Sequence, residues 1–257
     1  MASAERASAA GVYSVLLGDR RYASEADLRV AEEMISRVPL VPRVARSNRA
    51  FLLRAVRAVA ADQRVDQFLD IGSGIPGKNN VHDVVHSLRP GARVAYMDID
   101  PYAVEVAQRL AVDGRVAAVQ GDLRESDGIL SCEVVDWARP VCVILVAVLH
   151  FLPDDEAYGA LAAIRQALAP GSVLIVSHAA RESFSEEAIA SAQKSYRAGG
   201  APTPIPRSRS DVERMFGNFT LVPPGVVFPP EWHPAGDEDF AETPLACGNH
   251  CGVAVKA

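Results

Sequence analysis

The sequence predicts an α/β fold built on a mostly parallel sheet, and three observations carry this. From residue 66 onward, strand, loop and helix patterns alternate, the signature of a parallel sheet with right-handed crossovers. The run "PVCVILVAVLH" (140–150) is apolar almost throughout, as a central strand buried on both faces requires. The chain has 257 residues, 49% of them hydrophobic, enough to bury a sizeable core.

Taken in order, residues 1–10 are small and polar and carry no clear element. "SEADLRVAEEMISRV", from Ser24, offers Ser-x-x-Asp as a capping box followed by helical periodicity. "SNRAFLLRAVRAVAA", from Ser47, is a second helix, with Phe51, Leu52, Val56 and Val59 on one face and Arg49, Arg54 and Arg57 decorating the rest. Strands then fall at "QFLDIG", "RVAYMDID", "RVAAVQGD", 140–150 and "SVLIVSHAA". Helices fall at "NVHDVVHSL", at "PYAVEVAQRLA" with Pro101 in its first turn, and at "DDEAYGALAAIRQAL". Beyond residue 180 come a polar helix (183–198), a loop, and a short helix "SDVERMFG" that offers Ser210 and Glu213 as its capping box. "FTLVPPGVVF" and "CGVAVKA" complete the chain as an antiparallel strand pair at the sheet edge. The organisation expected is a helical extension or lid over 1–63 and a ligand-binding domain over 64–257.

Composition narrows the function. A formal charge of -6 and a pI near 5.5 give no electrostatic footprint for nucleic acid. No apolar stretch reaches the roughly 20 residues of a membrane span, and no signal peptide is seen. The four cysteines suit a reduced, cytoplasmic protein. Cys247, His250 and Cys251 cluster in "CGNHC", but a structural zinc needs a fourth ligand and a different spacing, so no metal is expected. His82 and His86 are four apart without the carboxylate of H-E-x-x-H, and are discounted in the same way.

The glycine loop "FLDIGSGIPGKNN" (68–80) points to a nucleotide-type cofactor. Gly72, Gly74 and Gly77 can be aligned to a dinucleotide fingerprint. Asp70, two residues before Gly72, argues against one, because it would repel a pyrophosphate and favour a cationic cofactor. Three successive strands also end in a carboxylate, at Asp70, Asp98 and Asp122, on the edge where such sheets bind ligands. An ionised Asp98 has acceptor oxygens for both hydroxyls of a ribose, and Asp122 can accept an adenine amino group. Each could instead cap the following helix.

"FLDIGSG", "YMDIDP", "VQGDLRE" and "VLHFLPDD" resemble the successive motifs of class I S-adenosylmethionine-dependent methyltransferases. With "VYSVLLGDRRYASEADLRVAEE", "ARSNRAFLLRAV", "VLIVSHA" and "PPGVV", the resemblance extends over nearly the whole chain. It is to the S-adenosyl methyltransferase family of filamentous actinobacteria formerly classed as a domain of unknown function. The resemblance implies a Rossmann-like seven-stranded sheet, mostly parallel with an antiparallel last strand, and helices on both faces. It implies S-adenosyl-L-methionine as cofactor. Asp70, Gly72, Ser73 and Gly74 would surround its methionine part and Asp98 its ribose. Ile99, Asp122 and Leu123 would hold the adenine, and Val146 and Ala147 would face the amino group. Arg49 is the candidate partner for the cofactor carboxylate, and Asn80 a further candidate beside the loop. His150 and His178, following the fourth and fifth strands, are the candidate bases. The expected activity is methyl transfer to a small-molecule acceptor in specialised metabolism. The alternatives are an NAD(P)-dependent oxidoreductase or a non-catalytic S-adenosylmethionine-binding protein. Trp232 and His233 lie in a late excursion that could roof the acceptor site.

Overall fold

The structure, a computed structural model, describes residues 6–62, 64–110, 114–131, 133–198, 203–236 and 238–257. The N-terminal helices are α1 (Ala9–Leu16), α2 (Glu25–Arg37) and α3 (Val41–Ala61). The alternating region follows as β1 (Gln67–Ile71), α4 (Val81–Leu88), β2 (Arg93–Asp98), α5 (Pro101–Gln108), β3 (Val116–Gln120), α6 (Ser126–Leu130), β4 (Cys142–Val146), α7 (Asp154–Ala167) and β5 (Val173–Ala179). The chain ends with α8 (Glu186–Ala198), α9 (Arg209–Met215), β6 (Thr220–Leu221) and β7 (Asn249–Val255).

The sheet has seven strands in the order β3-β2-β1-β4-β5-β7-β6. β1 to β5 pair in parallel, and β7 runs antiparallel to both β5 and β6. The order reverses between β1 and β4, which opens a crevice at their carboxyl ends. β7 and β6 form the antiparallel pair expected at the sheet edge, with β7 between β5 and β6 and the short β6 as the rim. The strand expected over 219–228, the first of the C-terminal pair, stops at Leu221 because Pro223 and Pro224 have no N–H to continue the ladder.

Successive strand residues face opposite sides and build two cores. Leu69, Ile71, Met97, Val143 and Leu145 pack under α7 and α9. Phe68, Val94, Tyr96, Cys142 and Ile144 pack under α3 and α4. α3 contributes Phe51, Leu52 and Val56 to that second core, so within the expected 1–63 extension this helix is part of the sheet's own packing. α1 and α2 form a separate apolar cluster with Ala45, above the carboxyl edge.

Several local expectations shift. α3 starts at Val41, six residues before Ser47, with Pro42 in its first turn. The capping box of α9 is Ser208 with Asp211, two residues earlier than Ser210 with Glu213. Arg54 is not a solvated face residue. It pairs with Glu238 at 2.6 Å and donates to the Trp232 and Pro229 carbonyls, pinning the late excursion to α3. Trp232 is buried edge-on against Phe51 and anchors that excursion. His233 bonds the Pro223 carbonyl. Neither lines the large cavity described below. His82 bonds the Tyr96 hydroxyl and His86 the Ala92 carbonyl. Cys247 and Cys251 are buried thiols, and His250 bonds Glu182. Among the described residues no helix is long and apolar enough to cross a membrane, and no group of three metal-ligating side chains forms.

Candidate active site

A cavity of about 1530 Å³ opens at the carboxyl ends of β1 to β5, beneath α1 and α2. The glycine loop forms its floor. Gly72 and Gly74 have φ of +70° and +67°, a region glycine enters without strain. A Cβ at Gly72 would also lie 2.4 Å from Val148. The Gly72 and Ser73 amides bond the Met97 carbonyl, and the Gly74 amide donates to Asp98 Oδ2 at 2.8 Å. Asp98 Oδ1 accepts the Asp100 amide, so this carboxylate fixes the loop to the end of β2. The cap of α5 is Asp100 and that of α6 is Glu125. None of the three strand-end acids is therefore spent as a helix cap.

Asp70 is buried on the cavity wall. Among the described residues no hydrogen bond reaches its carboxylate. Burial pushes its pKa up to about 7, with Arg49 pulling it down and Asp98 adding to the rise. Arg49 lies on the same wall and donates to the Asn79 carbonyl at 3.0 Å. Burial likewise raises Asp98. Asp122 differs: Arg124 grips both of its oxygens and holds it below the usual carboxylate range. Ile99 is 54% exposed, a large apolar side chain bared to the cavity beside Leu123.

Val146 and Ala147 end β4 on the cavity wall, Ala147 with a φ of +57°. Its amide donates to Ser177 Oγ at 3.1 Å. Ser177 Oγ donates to Asn48 Oδ1 at 2.6 Å, Asn48 Nδ2 to the Tyr13 hydroxyl at 3.0 Å, and Tyr13 to the Ala45 carbonyl at 3.2 Å. This chain ties the strained strand end to α3 and α1. Sequence reasoning missed it, since the three side chains, Ser177, Asn48 and Tyr13, come from separate parts of the chain.

Two candidates fall outside the cavity. Asn80 caps α4, its amide group closing the loop on Gly77 and Asp83. His178 is fully buried: Nδ1 donates to the Ala179 carbonyl at 3.0 Å, and Nε2 accepts from Arg207 at 2.7 Å. Burial lowers its pKa to about 3. With both nitrogens occupied and no route to the cavity, it is a structural residue rather than a base. His150 does line the cavity. Its Nδ1 is buried with no partner, and its ring stacks edge-on against Phe151 and His178. Burial, with His178 and Arg207 nearby, holds it neutral far below its usual pKa.

An S-adenosyl methyltransferase family profile matches residues 2–257. The chain belongs to this family. It is a methyltransferase, and its cofactor is S-adenosylmethionine. Its fold matches a candidate methyltransferase of Thermobifida fusca YX, 33% identical over 98% of this chain and 96% of that one, with a TM-score of 0.90. It equally matches a DUF574 family protein of Streptomyces avermitilis MA-4680, 29% identical over 99% of both chains, with a TM-score of 0.92. The N-methyltransferase NodS of Bradyrhizobium japonicum WM9, solved with S-adenosylhomocysteine, shares the fold at 16% identity over 96% of this chain and 98% of that one, with a TM-score of 0.51. No curated protein matches this chain.

Proposed function

We propose that this methyltransferase acts on a small-molecule acceptor of specialised metabolism, in a reducing cytoplasm, with α1 and α2 of the 1–63 segment as the lid. The observation that carries the reading is the cavity. At about 1530 Å³ it exceeds the ~300–1,000 Å³ typical of a single-ligand pocket, leaving room for an acceptor beside the cofactor under one roof. The described cysteines, Cys142, Cys247 and Cys251, are all free thiols, in keeping with that compartment.

The residues present fit S-adenosylmethionine. Asp70 is a buried carboxylate without a hydrogen-bond donor, suited to a cationic group and not to a pyrophosphate. Above Gly74 a Cβ would meet only Ala10, at 3.9 Å, so the loop leaves space for a ligand backbone. On this reading Asp70 and the 72–74 loop hold the methionine part and Arg49 its carboxylate. Asp98 takes the ribose hydroxyls with its remaining lone pairs. Ile99 and Leu123 flank the adenine, and Asp122, steadied by Arg124, takes its amino group. Val146 and Ala147 border the ammonium. When bound, the cofactor supplies a methyl on a sulfonium, and its transfer breaks the S–C bond with the electron pair going to sulfur. The protein's own contribution is to hold acceptor and donor in line, an entropic advantage. His150, neutral and with its Nδ1 unpartnered, orients the acceptor by a hydrogen bond.

Calorimetry with S-adenosylmethionine and NAD, followed by assay of S-adenosylhomocysteine release over a library of polycyclic and hydroxylated metabolites, tests the reading. Expected are binding of the first ligand alone and turnover of a member of the library. Tight NAD binding without S-adenosylmethionine binding would overturn it.

A further inference from the structure

The cavity is divided chemically. Apart from His150, its acidic and basic side chains lie mostly on the side of β1 to β3: Arg49, Asp70, Asp98, Asp100, Glu105, Asp122 and Arg124. Three more come from the α1–α2 side, and two of them are already engaged. Asp27 accepts the Ser8 and Ser24 amides, and exposed Arg21 is clamped to Asp19. The third, Arg6, is exposed to solvent.

The opposite wall is apolar. Met34 and Val38 come from α2, Val44 from α3, Phe184 and Ile189 from the α8 region, and Pro204 from the segment before α9. Independent contacts make this one surface. Arg37 of α2 donates to Ser191 of α8 at 3.0 Å. Gln193 of α8 donates to the Pro204 carbonyl at 3.2 Å. The Ile205 amide donates to the His150 carbonyl at 2.6 Å. Phe184 and Val44 meet at Gly248, where a Cβ would lie 2.7 Å from one and 3.3 Å from the other. The wall therefore runs from α2 across α8 to His150, whose ring carries a buried nitrogen with no partner at the inner end of an otherwise apolar surface.

We propose that this second lobe takes an uncharged, predominantly apolar acceptor of ring-system size, and that the His150 imidazole hydrogen-bonds its one polar group. The inference rests on the small-molecule reading above. Desolvation sets the selectivity. An ionised acceptor would lose its water to a wall that offers no countercharge, whereas an apolar skeleton gains from burial. A single hydroxyl or N–H is matched on this wall by His150, whose Nδ1 has no partner among the described residues, since an unpaired buried group is itself unfavourable. Burial keeps that imidazole neutral, so it presents no charge that would attract a carboxylate.

The test is binding, not turnover. Protein saturated with S-adenosylhomocysteine is titrated with four probes of one shape: 2-naphthol, naphthalene, 2-naphthoate and 2-naphthylmethylammonium. The proposal expects 2-naphthol to bind at least ~10-fold more tightly than either ion, the desolvation of a charge being the larger penalty. Ile189→Asp should abolish naphthol binding while leaving S-adenosylhomocysteine affinity within about twofold, because Ile189 lies on the apolar wall. His150→Leu should erase the advantage of 2-naphthol over naphthalene. Thermal unfolding and S-adenosylhomocysteine affinity report whether each variant has folded. Equal or tighter binding of an ion, or an Ile189→Asp variant that binds naphthol normally, overturns the acceptor class while the small-molecule reading stands. An undiminished naphthol advantage in His150→Leu overturns the role of His150. Binding of none of the four, with S-adenosylhomocysteine still bound, overturns the small-molecule reading itself.

Discussion

Asp70 has the clearest pH signature of any single residue here. Its folded pKa of about 7 lies above the unfolded carboxylate value. The folded state therefore holds the extra proton between about pH 4 and 7, and stability falls as pH rises through that window. A cationic ligand reverses the balance by favouring the ionised form. Cofactor affinity should rise roughly tenfold between pH 5.5 and 7, a range in which an α-ammonium with pKa near 8 stays charged. Titration calorimetry across that range checks this, and Asp70→Asn should flatten the profile. Asp98→Ala should weaken cofactor binding more than Asp122→Ala. Asp98 also holds the Gly74 amide, and bonds to charged groups are worth roughly 1.5–3 kcal/mol each. Asp122 is already shared with Arg124. Equal losses in the two variants would refute the ranking. The three acids were legible in sequence because each closes an apolar strand, and strand ends are local information. His150 and His178 looked alike for the same reason: both follow strands. What separates them is Arg207, 29 positions beyond His178, and nothing local announces that contact.

At the level of elements, α1 shows where local signals stop. Its sequence, AAGVYSVL, carries β-branched valines, a glycine and no charge, a weak helix by propensity. It is held by a neighbour. Asp27, in the first turn of α2, accepts both the Ser8 amide and the Ser24 amide and hydroxyl, so one carboxylate steadies the starts of two helices. The capping box of α2 was visible in sequence, but its second use was not. Asp27→Ala should cost about 1–2 kcal/mol, the usual range for a lost cap, and make residues 6–20 a preferred site of limited proteolysis. Gly11→Ala should act on the same contact, because its Cβ would lie 2.2 Å from Asp27 Oδ2. Digestion patterns identical to wild type in both variants would contradict this account of α1. The register shift in α9 has a simpler origin. Ser208-x-x-Asp211 and Ser210-x-x-Glu213 overlap, and the pattern alone does not rank them.

For the molecule as a whole, the parallel order of β1 to β5 followed from the alternation of patterns, while the insertion of β7 between β5 and β6 depends on pairing across long stretches of chain. Arg207 is the tie that joins these parts. Buried at 4% exposure, it reaches Asp154 at the start of α7, the Leu149 and Leu152 carbonyls below β4, and His178 on β5. Arg207→Met would strand the two carbonyls and the His178 ring nitrogen, while Asp154, 72% exposed, returns to water, and a loss of about 1–3 kcal/mol in urea unfolding is expected, the cost of leaving buried acceptors unsatisfied. A loss under ~1 kcal/mol would show the network to be dispensable. The same architecture bears on time as well as stability. α1 lies over the glycine loop, with Ala10 the nearest neighbour of a Cβ placed at Gly74. If α1 is the lid proposed above, spent S-adenosylhomocysteine leaves once α1 lifts, and its residence time is set by the roof rather than by the number of contacts below it. Such lid motions are commonly slower than the chemistry they enclose. On that reading, loosening Asp27 would speed product release without touching any group assigned to the cofactor.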